Sequence, residues 1–170
     1  GCRILEFGIE SGSNRILKSM GKGFNTEQAS QALRDSYETG IKNELCLIVG
    51  FPHEKEEDML KTTEFIRKNS EYIDTIPTIT PLRIEYGALL YNHPERFGIE
   101  NFRPIFDVPH RLKNLIPDFD VSHRLEVKYY AFDEIGGLKW EEKIKQQEYF
   151  YRMISIADFK YVLSKKYRIG

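Results

Sequence analysis

The chain has 170 residues, with 25 basic and 26 acidic side chains and a formal net charge of −1. That balance gives no electrostatic footprint of the kind a nucleic-acid binder shows, and leaves room for a small basic patch. Two cysteines far apart in sequence argue against both a disulfide framework and a zinc site, and the four histidines show no ligand spacing, so no metal site is expected. No apolar segment approaches the roughly 18 residues of a spanning helix, so the chain reads as soluble and cytoplasmic, with no membrane partner.

The size suits one domain, or a domain with an appendage. Gly1 is followed by Cys2-Arg3-Ile4, which enters a strand-like run with no polar lead-in. This reads as the middle of a longer protein. Residues 3–9, RILEFGI, predict a first strand, ending in Glu10-Ser11-Gly12-Ser13. Asn14 to Met20 gives two helical turns before Gly21-Lys22-Gly23. Asn25 with Gln28 resembles a capping box, and Ala29, Ala32, Leu33 and Tyr37 line one face of a helix over 26–39 that Gly40 closes.

Residues 45–49 lie in a continuous apolar run, LCLIV, stopped by Gly50-Phe51-Pro52. Such a run predicts a parallel strand buried on both faces, with Cys46 as a small apolar core residue. Met59, Leu60, Thr63 and Ile66 place a second helix over 56–69. Residues 72–80 predict a third strand, in which Pro77 points to an edge or strand end. The order is β-α-β-α-β, with parallel strands and both crossover helices on one face. Residues 81–101 look irregular, and 102–137 are ambiguous, with Arg124 to Phe132 readable as strand or helix. Over 138–156, Trp140, Ile144, Gln147, Tyr151 and Ile154 recur at helical spacing and predict one buried stripe.

In parallel α/β proteins, ligands bind outside the carboxyl ends of the strands. The three exits carry Glu10, Ser11 and Ser13, then Gly50, His53 and Glu54, then Thr80 and Arg83. A carboxylate there can accept hydrogen bonds from ribose hydroxyls, and a glycine admits close approach to the backbone. Together these predict a nucleotide-like pocket. Plainer roles stand beside this one. Glu10 could cap the following helix, Glu54, Glu56 and Glu57 could be first-turn acids, His53 could be a surface loop residue, and Lys22 could be a solvated lysine.

Two segments resemble one family. EFGIESGSNRILKSMGKGFNTEQ and TGIKNELCLIVGFPHEKEEDM are similar to the latter half of the radical S-adenosylmethionine (SAM) core, a partial (β/α)6 TIM-like barrel. Gly8-Ile9-Glu10-Ser11-Gly12-Ser13 matches the family's G-[IVL]-[EQ]-S-G-S run. Ile48-Val49-Gly50-Phe51-Pro52-His53-Glu54 matches its I-[IV]-G-[FL]-P-G-E run, with His53 in place of Gly. The resemblance covers roughly residues 1–99, including ALLYNHPERFGI, and FDEIGGLKWEEKIKQQE is similar to the C-terminal extension of cobalamin-dependent members.

The resemblance implies an α/β fold made of the last three barrel strands over 1–100, with a mainly helical accessory extension over 101–170. It implies SAM contacts from Glu10 and Ser11 near the ribose and methionine portion, from the backbone around Ile48 to Gly50 beside the adenine, and from Lys22 near the carboxylate. It also implies a [4Fe-4S] cluster in the full-length parent, with cobalamin as a further cofactor of that parent. The departure is large: the family's CxxxCxxC loop, whose thiolates hold the cluster, is absent, because the only cysteines are Cys2 and Cys46. The expectation is therefore a part of a radical SAM enzyme, inactive alone, whose partner is the missing N-terminal half of the barrel or a second copy of itself. The alternative is a cluster-free α/β binding or partner module without catalysis of its own.

Overall fold

The computed structural model describes residues 1–105 and 129–156, which fall into two compact units. One comprises Gly1–Leu82 with the chain from Glu141 onward, and the other Arg83–Trp140.

The first unit contains β1 (Ile4–Glu10), α1 (Asn14–Ser19), α2 (Thr26–Glu38), β2 (Lys42–Val49), α3 (Glu56–Lys68) and β3 (Thr75–Pro81). The strands form one parallel sheet in the order β1-β2-β3, as the alternation of strand and helix predicts. The capping box of α2 is present: Asn25 Oδ1 accepts from the Gln28 N–H at 2.9 Å, and Gln28 Oε1 accepts from the Asn25 N–H at 3.0 Å. Gly40, at φ 78°, ends that helix in the left-handed conformation.

The core lies on one face of the sheet, where Leu45, Leu47 and Val49 of β2 meet Ala29 and Leu33 of α2, Met59, Phe65 and Ile66 of α3, and Ile79 of β3. Both crossover helices thus serve one face. Their buried stripes differ in detail from the expected ones. Ala32 and Tyr37 are exposed and Ser36 is buried instead, while Leu60 is half exposed and its place is taken by Thr62 and Phe65. Tyr37 is spent on an edge-on contact with Tyr72 at 5.6 Å.

The expected burial of β2 on both faces is not what the structure shows. Asn43, Leu45, Leu47 and Val49 are buried, while Glu44, Cys46 and Ile48 are half-buried. The reason lies in the neighbouring strands, whose residues in register are polar: Glu6 beside Glu44, Thr78 beside Cys46, and Thr80 beside Ile48. Cys46 accordingly sits on this open face, with its thiol donating to Glu6 Oε1 at 3.0 Å and its pKa pushed up by burial. β3 starts three residues later than expected because Ser70–Tyr72 forms a single 3-10 turn. Pro77 lies in an outer strand of the described sheet, within the stretch where the register with β2 shifts between Thr75 and Thr78.

The tail helix α5 (Trp140–Ile156) forms as expected, but its buried stripe is shifted by about one position. Lys143 and Phe150 are buried, each 1% exposed, while Trp140 and Ile144 are half-buried. The side chains of Gln147, Tyr151 and Ile154 lie outside the described set. Phe150 joins the core of the parallel sheet. Lys143 replaces an apolar residue in that stripe because it has a carbonyl to bind.

The second unit has β4 (Ile84–Glu85), α4 (Leu89–Asn92), β5 (Ile99–Ile105) and β6 (Tyr129–Glu134), an antiparallel sheet in the order β4-β6-β5. The stretch expected to be irregular is therefore partly strand. Of the ambiguous Arg124–Phe132, residues 124–128 lie outside the described residues, and Tyr129 onward is strand. Tyr91 packs against Tyr86, Phe102 and Tyr130 with ring centroids 5.0, 5.7 and 5.1 Å away. Asp133 binds Arg103 at 2.8 and 3.1 Å and accepts from the Trp140 N–H at 3.0 Å; the Arg103 guanidinium holds its carboxyl well below the usual carboxylate range. No described helix is long and apolar enough to cross a membrane.

Candidate functional site

At the end of β1 the ladder slips. Gly8 pairs with Cys46, yet Glu10 pairs with Leu47, and Glu10 takes φ 70°. A side chain in the left-handed region costs about 1–2 kcal/mol. The conformation folds the Glu10 carboxylate back over Gly8, where an added Cβ would lie 2.9 Å from Oε1. Gly8 thus leaves the room its neighbour uses.

Lys22 comes from the α1–α2 loop to the same place. Its Nζ donates to the Gly8 carbonyl at 2.9 Å and approaches Glu10 Oε1 at 3.5 Å, with the two side chains 29% and 18% exposed. Glu10 and Lys22 are therefore brought together as a half-buried ion pair at the exit of β1. Neither plain role assigned to them is seen: Ser13 precedes α1 and Glu10 does not cap it, and Lys22 is not free in solvent.

Ser11-Gly12-Ser13 faces the other way, onto α3. Ser11 Oγ lies 3.3 Å from Thr62 Oγ1, which also accepts from the Gly12 N–H at 2.9 Å. A Cβ on Gly12 would sit 2.6 Å from Thr62 Cα, so only glycine allows this close approach. Ser13 donates to Asp58 Oδ1 at 2.6 Å, Arg15 binds both Asp58 oxygens, and the Lys55 N–H donates to Asp58 Oδ2 at 3.0 Å. Burial pushes the Asp58 carboxyl up, but the bonds from Arg15, Ser13 and the Lys55 N–H override it and hold the group at about 2. Asp58 and Thr62 were not singled out in the sequence. A Lys at the residue preceding α3 hides the acid three positions on, which does the binding.

The exit of β2 is closed by its own turn. Phe51-Pro52-His53-Glu54 has Pro second and a left-handed residue third, with His53 at φ 62°, and the Glu54 N–H donates to the Phe51 carbonyl at 2.9 Å. That is the layout of a type II turn, which favours glycine at the third place. His53 itself is exposed. Glu54 is not a first-turn acid: it precedes α3 and is buried, its Oε2 accepting from the Gly50 N–H at 2.6 Å. Burial pushes its carboxyl up to about 7, against the opposing pull of that N–H. The Gly50 carbonyl accepts from Lys143 Nζ of α5 at 2.9 Å. Ile48 is half-buried on the open face beside Thr80, while Arg83 belongs to the second unit. No period or motif pointed to Lys143.

The open face thus carries Glu6, Glu10, Glu44, Cys46, Ile48, Thr78 and Thr80, an arrangement that can accept hydrogen bonds and cover a flat ring. Among the described residues no group of His, Cys, Asp or Glu is placed to hold a metal ion. With only two cysteines, the chain's residues do not fit a three-thiolate cluster.

No family model matches the chain. Segments of it are similar to curated proteins. One, an uncharacterized methyltransferase of Pyrococcus horikoshii, is 38% identical over 68 residues, 40% of this chain and 15% of that protein. Another, the tRNA-2-methylthio-N(6)-dimethylallyladenosine synthase of Buchnera aphidicola, is 39% identical over 67 residues, 38% of this chain and 15% of that protein. The threonylcarbamoyladenosine tRNA methylthiotransferase of Aquifex aeolicus is 37% identical over 98 residues, 56% of this chain and 24% of that protein. Homologous segments therefore occur in methylthiotransferases, which belong to the radical SAM superfamily.

Proposed function

We propose that the chain is part of a radical SAM enzyme and forms half of its SAM-binding wall, with the cluster loop supplied by another part of the protein. The observation that carries this reading is the exit of β1, where Glu10 is held at φ 70° with a half-buried carboxylate beside Lys22. In it, Glu10 accepts from the ribose hydroxyls, Lys22 faces the ligand's carboxylate, and the backbone of Ile48 to Gly50 lies beside the adenine. Ser11 supports the wall by tying it to α3. The relatives favour methylthio transfer as the parent's reaction; cobalamin rests on the resemblance of residues 88–99 and the tail alone.

The test is SAM binding by isothermal titration to the full-length, cluster-loaded protein that carries this segment. Charge-assisted hydrogen bonds contribute roughly 1.5–3 kcal/mol, so Glu10→Ala weakens SAM about 10- to 100-fold. Glu10→Gln weakens it less, because the amide keeps one acceptor. Unchanged affinity in Glu10→Ala removes Glu10 from the site.

A partner belongs to the same reading. β1 is an outer strand of the described sheet with Ile4 53% and Leu5 38% exposed, and an apolar groove of about 310 Å3 runs beside it between Phe7, Phe24 and Ala29. Such an edge invites a further strand, from the rest of a barrel or from a second copy. In isolation the 170-residue chain is expected to self-associate, and a monodisperse monomer at high concentration by light scattering would count against this.

A further inference from the structure

The Gly50 peptide joins the exit of β2 to the tail helix. Its N–H donates to Glu54 Oε2 at 2.6 Å, and its carbonyl accepts from Lys143 Nζ at 2.9 Å, across 93 residues of sequence. Glu54 and Lys143 are 7% and 1% exposed. The adjoining groups are fixed too: the Val49 carbonyl accepts from the Leu82 N–H at 2.8 Å, and the Phe51 carbonyl from the Glu54 N–H at 2.9 Å. The stem of Lys143 also packs on this peptide, since a Cβ on Gly50 would lie 3.5 to 3.6 Å from its Cβ, Cγ and Cδ.

An ammonium is costly to bury, and an apolar side chain in the same stripe of α5 would pack beside Phe150 without that cost. What Lys143 adds is a fixed position for the Gly50 carbonyl. Gly50 stands at φ 77°, and as a glycine it has wide conformational freedom once released. We propose that Lys143 is a positioning residue for the ligand wall: α5, through Lys143, sets the backbone of Ile48 to Gly50 in the form that meets the ligand. Its ammonium does not itself touch the ligand. The tail helix is then part of the binding site's construction. This rests on reading the exit of β2 as part of a SAM wall.

The experiment is amide NMR on the full-length, cluster-loaded protein that carries this segment, reading hydrogen exchange at Gly50 and the shifts of Ile48 to Gly50 on titration with SAM. Wild type is compared with Lys143→Met, Lys143→Arg and Phe150→Leu, the last loosening the same helix without touching Gly50. Lys143→Met is expected to speed exchange at Gly50 about tenfold and to weaken the SAM-dependent shifts about tenfold, the loss of one charge-assisted bond. Lys143→Arg, which keeps a donor, restores part of both, and Phe150→Leu lowers the melting temperature while leaving both near wild type. Wild-type exchange at Gly50 in Lys143→Met, or Phe150→Leu reproducing both effects, overturns the proposal. Absence of SAM-dependent shifts in the wild type overturns the SAM reading instead, and the exchange comparison still decides whether Lys143 holds the peptide.

Discussion

Glu54 makes the strongest pH prediction. Its carboxyl is 7% exposed, and burial pushes its pKa from 4.5 up to about 7; the Gly50 N–H opposes this, nearby Asp58 of α3 adds to it, and Lys143 of α5 again opposes it. The native state therefore holds this proton more tightly than the unfolded chain does. At about 1.4 kcal/mol per tenfold, the gap is worth about 3 kcal/mol. That stability is fully present below pH 4.5 and is lost as the pH rises through about 7. Urea unfolding followed by circular dichroism between about pH 5 and 8.5 reads it directly. Glu54→Gln keeps a neutral acceptor for the Gly50 N–H, so it should lie within about 1 kcal/mol of wild type at the acid end. At the alkaline end it should be the more stable protein by about 2–3 kcal/mol. Parallel stability profiles for the two proteins would refute this account of the β2 exit.

Asp58 acts in the opposite sense. Held at about 2 against an ordinary 3.8, it contributes stability that is present above pH 3.8 and lost as the pH falls through about 2. Asp58→Asn should cost about 2 kcal/mol at neutral pH, and a change below about 0.5 kcal/mol in urea unfolding would show the Ser13–Arg15–Asp58 cluster to be ornamental. His53→Gly should raise stability by about 1 kcal/mol by relieving the left-handed conformation at φ 62°, and a lowered melting temperature would mean that the His53 side chain supports the turn.

The parallel sheet and its two crossover helices were legible because each signal was local: the capping box at Asn25, the closing Gly40, and the Gly50-Phe51-Pro52 stop. The burial of β2 was not, because LCLIV is apolar throughout and its open face is set by polar partners in register on other strands. The tail stripe failed for a related reason. Periodicity assigns hydrophobic residues inward, whereas Lys143 is inside because a carbonyl from residue 50 has to be satisfied. Glu10 and Lys22 were legible as candidates only through position at a strand exit and motif resemblance. Their pairing depends on a bulge that no sequence period records.

The exits of β1 and β2 meet the same backbone demand with different residues. At each, the chain turns out of the sheet through a left-handed residue, Glu10 at φ 70° and Gly50 at φ 77°. At residue 50 the sequence places glycine, which adopts that conformation without steric cost. At residue 10 it places a glutamate, although the same glycine would relieve about 1–2 kcal/mol of strain. The carboxylate's contact with Lys22 is a long one, 3.5 Å between side chains 18% and 29% exposed. Under the proposed SAM-wall reading, the strain at Glu10 is the cost of presenting a carboxylate at the strand exit, where a relaxed residue would serve the turn.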